Sequence, residues 1–210
     1  MIAIIGAGNV GKALAAGLRR AGAEFVFGVP EPEKHQALAS EMGSRALTVE
    51  DAIGVAEIVV LAVPHAAAES VAVSMPDWGG RILVDATNPI APKLAGLTIG
   101  TTTSAAEELA NAAKGARVVK AFNTTGAENM ANPAYGDHRV FLPVCGDDPA
   151  ARAAVVDLAR RMGFDAEDIG PLSAARYLEP FAMTWIHMSF ACGFGRDFAF
   201  VRLRRESAQG

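Results

Sequence analysis

The chain has 210 residues, 51% apolar and 20% charged, with a formal net charge of −4 at neutral pH. That length can bury a full core, and the mild acidity excludes a broad basic face for nucleic acid or an anionic membrane. The apolar runs are too short for a membrane span, and a strand starting at residue 2 leaves no room for a signal peptide. Cys145 and Cys192 lie far apart with no Cys-x-x-Cys spacing, which fits two buried thiols in a reducing cytoplasm.

Four apolar residues, Ile2 to Ile5, run into glycines at 6, 8 and 11, and a helical pattern follows from Asn9 to Ala21. This is the G-x-G-x-x-G turn between a buried strand and a helix. Gly6 permits the tight turn, Gly8 lets backbone approach a pyrophosphate, and Gly11 lets the helix pack close to the strand. The helix start offers free N–H groups and a partial positive charge to phosphates.

A second strand over 23–28 follows Gly22, and a helix from Glu31 to Met42 ends at Gly43. Ala46 and Leu47 form a short third strand, and Thr48 caps a brief helix with Glu50 and Asp51 in its first turn. The run Glu57–Val63 is apolar without alternation, as expected of a central parallel strand. Pro64 opens a helix running to about Met75, and Arg81–Asp85 and Arg117–Phe122 repeat the strand pattern. Between them Ser104 to Glu107 is a capping box opening a helix to Lys114.

These six strands predict a doubly wound, mainly parallel Rossmann-like sheet of order 3-2-1-4-5-6. Arg139–Cys145 is a seventh strand, placed at a sheet edge by Pro143. A helix from Asp148-Pro149 to Met162 and a short strand over Phe164–Ile169 follow. From Leu172 the pattern reads as helical to about Arg205, interrupted at Pro180, Gly193 and Gly195, with the late arginines on a solvated helix face. The organisation expected is a dinucleotide-binding domain over 1–170 and a small C-terminal helical segment over 171–210 packed on it.

Ligands of such sheets bind beyond the carboxyl ends of the strands. That rule selects Gly6, Ala7, Gly8, Asn9, Val10 and Gly11 after strand one, and Val29, Pro30 and Lys34 after strand two, beside the adenosine ribose. It selects Val63, Pro64 and His65 after strand four, Thr87 and Asn88 after strand five, and Ala121, Phe122 and Asn123 at strand six. Asn88 and Asn123 suit a nicotinamide amide, although asparagine is also a turn former. Strand two carries neither an acid at its end nor an arginine nearby, so NADP and NAD both remain open.

No Tyr-x-x-x-Lys occurs. Of the histidines, His35 and His138 read as surface residues and His187 as a core residue, while His65 lies on the cofactor side. Lys120, on a strand, reads as pointing to an edge or pairing with an acid. No catalytic acid–base residue and no metal ligand is assigned. Tyr177, Phe181, Met183, Trp185, Ile186, Met188 and Phe190 read as helix-to-sheet core, as a seam between two copies, or as a shelf for a flat acceptor.

With these motifs in place, the chain resembles the NADP oxidoreductases that use the deazaflavin coenzyme F420, and the cytosolic part of the STEAP metalloreductases. The resemblance covers nearly the whole length. It rests on Gly6-Ala-Gly-Asn-Val-Gly11, Ser104-Ala-Ala-Glu107, Val119-Lys-Ala-Phe-Asn-Thr124, Pro143-Val-Cys-Gly-Asp-Asp148 and Gly170-Pro-Leu-Ser173, with Arg176 and Glu179. It implies hydride transfer between NADPH and a flavin-like or deazaflavin ring, with the Asn123 region at the nicotinamide end. Such proteins place Ser or Thr followed by Arg after the second strand; here Val29-Pro30 stand there. The expected function is an NAD(P)-dependent oxidoreductase acting on a small-molecule hydride acceptor. The alternatives are a pyrroline-carboxylate-reductase-like imine or carbonyl reductase with His65 as acid, or a non-catalytic NAD(P)-binding sensor.

Overall fold

A computed structural model describes residues 1–205. The first half alternates strand and helix: β1 (Ile2–Ile5), α1 (Asn9–Arg20), β2 (Phe25–Gly28), α2 (Pro32–Glu41), β3 (Ala46–Leu47), α3 (Val49–Val55), β4 (Ile58–Leu61), α4 (His65–Ser74) and β5 (Ile82–Asp85). Then come α5 (Ala105–Ala112), β6 (Arg117–Lys120), α6 (Ala127–Ala131), the hairpin strands β7 (Ala134–Tyr135) and β8 (His138–Arg139), β9 (Phe141–Gly146), α7 (Pro149–Met162), β10 (Asp165–Asp168) and α8 (Ala175–Phe190). The main sheet runs β10-β9-β6-β5-β4-β1-β2-β3, so the expected order 3-2-1-4-5-6 is present and two strands extend it. All pairs are parallel except β6 with β9.

Local chemistry sets the boundaries. Thr48, Ser104 and Asp148 each accept the N–H three residues on, closing the first turns of α3, α5 and α7. Gly163, at φ 103°, ends α7 in the left-handed conformation that favours glycine. Two apolar layers cover the sheet: Leu14, Leu18, Val155 and Leu158 pack on one face, and Ile53, Trp78 and Leu109 on the other.

Three expectations are corrected. Pro143 lies in β9, inside the sheet between β6 and β10 rather than at an edge. The β6–β9 register pairs only Val119 with Gly146 and Lys120 with Cys145. Continued, that register puts Pro143 opposite Phe122, where β6 has already ended, so the missing N–H removes no ladder bond. Pro180 does not interrupt the last helix, since α8 runs through it. That helix ends at Phe190 rather than near Arg205. Beyond it residues 191–205 form a non-helical strap, and 206–210 lie outside the described residues.

Aromatic stacking and main-chain bonds hold the strap. Phe198 stacks on Trp185 at 5.1 Å and Phe200 on Phe181 at 4.8 Å. The Phe198 carbonyl accepts from the Trp185 indole and the Asn129 amide, and the Phe200 carbonyl from the Phe141 N–H. The expected arginine face is therefore not a helix: Arg196 pairs with Glu128, and Arg202 with Asp165 and Glu167. Helix α6 and the β7–β8 hairpin are short elements that periodicity did not reveal. Among the described residues no helix is long and apolar enough to cross a membrane, and no cluster is placed to hold a metal ion.

Candidate functional site

Register brings the selected residues to one edge of the sheet. Ile5 pairs with Gly28 and with Leu61, Leu61 with Asp85, and Asp85 with Lys120. Gly6, Val29, Ala62, Ala86 and Ala121 therefore leave the sheet side by side, in the crevice where a doubly wound fold binds its ligand.

The amino-terminal turn is built from absent side chains. Gly6 has φ 107°, and a Cβ there would stand 2.6 Å from the Ala62 carbonyl oxygen. A Cβ on Gly11 would stand 2.1 Å from the Gly6 carbonyl oxygen, so α1 approaches the strand as closely as backbone allows. At Gly8 the added Cβ would meet nothing within 4 Å. Gly8 precedes α1 with no side-chain cap, and the first turn, with Asn9, Val10 and Gly11, carries no acid. Its N–H groups lack intrahelical partners and face outward with the helix's partial positive charge. A pyrophosphate fits this cradle; Ala7, half-buried, lies within the turn.

At the β2 tip, Val29 is buried and its N–H donates to the Leu47 carbonyl, while Pro30 is exposed. Lys34, exposed on α2, forms an ion pair with Glu31. Beyond β4, Val63 is half-buried, Pro64 caps α4, and His65 begins it. The His65 Nδ1 lies 3.4 Å from the Thr87 hydroxyl.

The tips of β5 and β6 are joined by side chains. Asn88 Nδ2 donates to the Asn123 carbonyl at 2.9 Å, and Asn123 Nδ2 donates to Asn88 Oδ1 at 3.0 Å and to the Leu178 carbonyl at 3.3 Å. Asn123 Oδ1 is left buried without a partner, as is the Thr124 hydroxyl. A buried acceptor with no donor carries a desolvation penalty that a ligand amide N–H would relieve. Ala121 is buried beside this pair. The Phe122 backbone turns at φ 65°, and its ring packs edge-on to Phe164 at 5.8 Å, inside the core.

Beneath the pair lies a cluster that only partly showed in the sequence. Lys120 Nζ donates to Asp85 Oδ2 at 2.8 Å, to the Thr87 carbonyl at 2.8 Å and to Glu179 Oε1 at 2.9 Å, and all three charged side chains are buried. Burial alone would push the ammonium down, but the charges of Asp85 and Glu179 more than offset that and hold it above the ordinary lysine value. Glu179 also accepts the N–H groups of Ala105 and Ala106 at the start of α5. Nearby, burial pushes the Cys145 thiol up to about 12, which keeps it neutral. The signal in the sequence is a lysine that ends β6 directly after two valines. Arg176 turns elsewhere, forking onto Glu107 at 2.6 and 2.9 Å.

An open groove of about 730 Å³ lies between the loop that follows β5 and α8. Residues 94–101 form one wall, and Pro180, Met183, Thr184 and His187 of α8 the other. The loop wall is tied to the strand tip because Thr98 donates twice to the Pro89 carbonyl. The helix wall begins two residues after Leu178. His187 is exposed on this groove rather than in the core. Of the aromatic residues singled out, Trp185 is buried under the strap, whereas Tyr177 and Phe190 are exposed. Cys192 is exposed too, against the expectation of two buried thiols.

Comparison with known proteins fits this geometry. A model of the family "NADP oxidoreductase coenzyme F420-dependent" matches residues 1–89. The metalloreductase STEAP3 of Rattus norvegicus is 31% identical over 179 residues, 85% of this chain and 35% of that protein, so the chain spans about a third of this curated relative. The structure of a candidate F420-dependent NADP reductase from Arthrobacter sp. FB24 superposes with a TM-score of 0.79 at 30% identity, covering 97% of this chain and 99% of that one. A reductive aminase from Aspergillus terreus, in complex with NADPH and ethyl levulinate, shares the fold at a TM-score of 0.69 and 19% identity, over 91% of this chain and 62% of its own. The end-to-end match to the Arthrobacter structure and the family match over β1–β5 together place the chain in the coenzyme F420-dependent NADP oxidoreductase family, as an NAD(P)-dependent oxidoreductase.

Proposed function

We propose that this protein passes hydride between NADPH and a flat deazaflavin or flavin-like acceptor lying in the groove between residues 94–101 and α8. The observation that carries this reading is the Asn88–Asn123 pair, whose Asn123 Oδ1 lacks a donor and which is tied to both walls of the groove, through Pro89 to Thr98 and through Leu178 to α8. The glycine turn holds the pyrophosphate, and Val29, Pro30 and Lys34 line the adenosine ribose, with Lys34 the cation offered to a 2′-phosphate. Val63, Pro64, His65, Thr87, Ala121 and the Phe122 backbone close the crevice around the ring. Asn123 Oδ1 accepts from the carboxamide and fixes which face of the ring turns to the groove. Bound there, the nicotinamide supplies or accepts the hydride. The chain's own work is positioning and exclusion of water, since a flavin-like ring stabilises the charge it receives.

The test is NADPH consumption with a deazaflavin, FMN or a ferric chelate as acceptor. The expected result is turnover with the ring acceptors, and a Met183→Trp variant that raises the acceptor KM without changing NADPH affinity. NADPH binding with no turnover on any ring acceptor would overturn the reading. The contact of His65 with Thr87 favours one second reading, an imine or carbonyl reductase. In that case His65→Ala would abolish turnover of a cyclic imine while leaving cofactor affinity intact.

A further inference from the structure

We propose that the Asp85–Lys120–Glu179 cluster is an electrostatic positioning element that makes the bound nicotinamide a stronger hydride donor. This rests on the placement of the nicotinamide at the Asn88–Asn123 pair. The donor pattern fixes the charge states. Asp85 Oδ1 accepts from the Thr87 N–H and Oδ2 from Lys120. Glu179 Oε1 accepts from Lys120 and the Ala106 N–H, and Oε2 from the Ala105 N–H. Every carboxylate oxygen faces a donor, so both acids are ionised. Two carboxylates against one ammonium leave one net negative charge, buried and away from screening salt. The start of α5 offsets part of that charge, about half a unit, and does not cancel it.

The cluster is tied to both asparagines of the proposed ring site through their chain neighbours and bonding partners. Asp85 and Lys120 grip the backbone N–H and carbonyl of Thr87, next to Asn88, and Glu179 adjoins Leu178, whose carbonyl holds the Asn123 amide. A nicotinamide gains one positive charge when it gives up hydride, so a buried negative charge beneath it favours the oxidised form over the reduced one. The bound couple is then more reducing than the free one. The same bonds hold α8 in register, so the groove wall and the charge are set by one residue, Glu179.

The experiment measures dissociation constants for NADP⁺ and NADPH separately in the full chain, for the unaltered protein and for Glu179→Gln. The expected result is a rise of about three- to tenfold in the NADP⁺ to NADPH dissociation-constant ratio. A tenfold rise corresponds to roughly 30 mV for a two-electron couple. The ratio should barely respond to salt, because the charge is buried. Asp85→Asn supplies a second variant with the same expected direction, and Glu107→Gln, a partly exposed acid outside the cluster, should leave the ratio unchanged. Equal weakening of both forms in Glu179→Gln and Asp85→Asn would overturn the proposal and leave the cluster a structural clamp. Failure of the unaltered protein to bind NADPH would instead overturn the site assignment on which it rests.

Discussion

The turn after β1 and the joined tips of β5 and β6 serve one crevice by opposite means. The first is made by removing side chains, so that backbone approaches backbone and a ligand meets bare N–H groups. The second is made by side chains from positions 85, 88, 120, 123 and 179, which satisfy one another and leave one acceptor over. A site built from omission tolerates almost no addition. A site built from pairs tolerates no removal of one partner.

The sharpest break is Lys120→Met, which strands two buried carboxylates. Loss of one partner of a buried pair costs about 3–5 kcal/mol, so chemical denaturation should show a drop of that order. Because the folded-state pKa of Lys120 is raised, its contribution is fully present below 10.5 and fades as pH climbs through the folded value. The alkaline arm of the stability profile should accordingly flatten in the variant.

On the other side of the comparison, Gly11→Ala drives a Cβ into the Gly6 carbonyl and should cost about 3 kcal/mol, with cofactor binding lost alongside. Gly8→Ala separates fold from ligand. Its Cβ meets open space, so the melting temperature should hold within a degree or two while NADPH affinity falls about tenfold or more. Unchanged NADPH affinity in Gly8→Ala would break the claim that this turn is a phosphate cradle.

A smaller effect concerns the clamp between α5 and α8. The Arg176 guanidinium, with help from Ser104, holds the Glu107 carboxyl below its ordinary value of 4.5. Its stabilisation is present above that value and disappears as pH falls through the lower folded-state pKa. Acid titrations should show Glu107→Gln losing part of that slope. The smallest change is Lys34→Ala: NADPH affinity should fall about two- to fivefold with NADH affinity unchanged, as for an exposed cation near a phosphate.

The two regions also differ in how far they could be read in advance. The glycine turn, the caps at Thr48, Ser104 and Asp148, and the strand order are written in short stretches whose chemistry is local. Asn88 and Asn123 could be selected because a topological rule names strand tips, whatever lies between them in sequence. The charge cluster is legible only in part: pairing with an acid is one of the two readings that Lys120 allows, but nothing local says which acids, and Glu179 lies 59 positions further on in a helix of mostly apolar residues. His187 was misplaced for a related reason. An apolar helix pattern does not reveal which face a loop such as 94–101 leaves open. The strap departs from the expected helix because Phe198 and Phe200, two residues apart, are satisfied by stacking on Trp185 and Phe181 without one.

The two margins of the main sheet are defended differently. At one side β3 has only two residues, too few to template a neighbour. At the other, β10 reads Asp-Ala-Glu-Asp, with Arg152, Arg160 and Arg202 folded over its acids. Neither margin offers an incoming strand a long bare edge, so neither favours growth of the sheet from molecule to molecule.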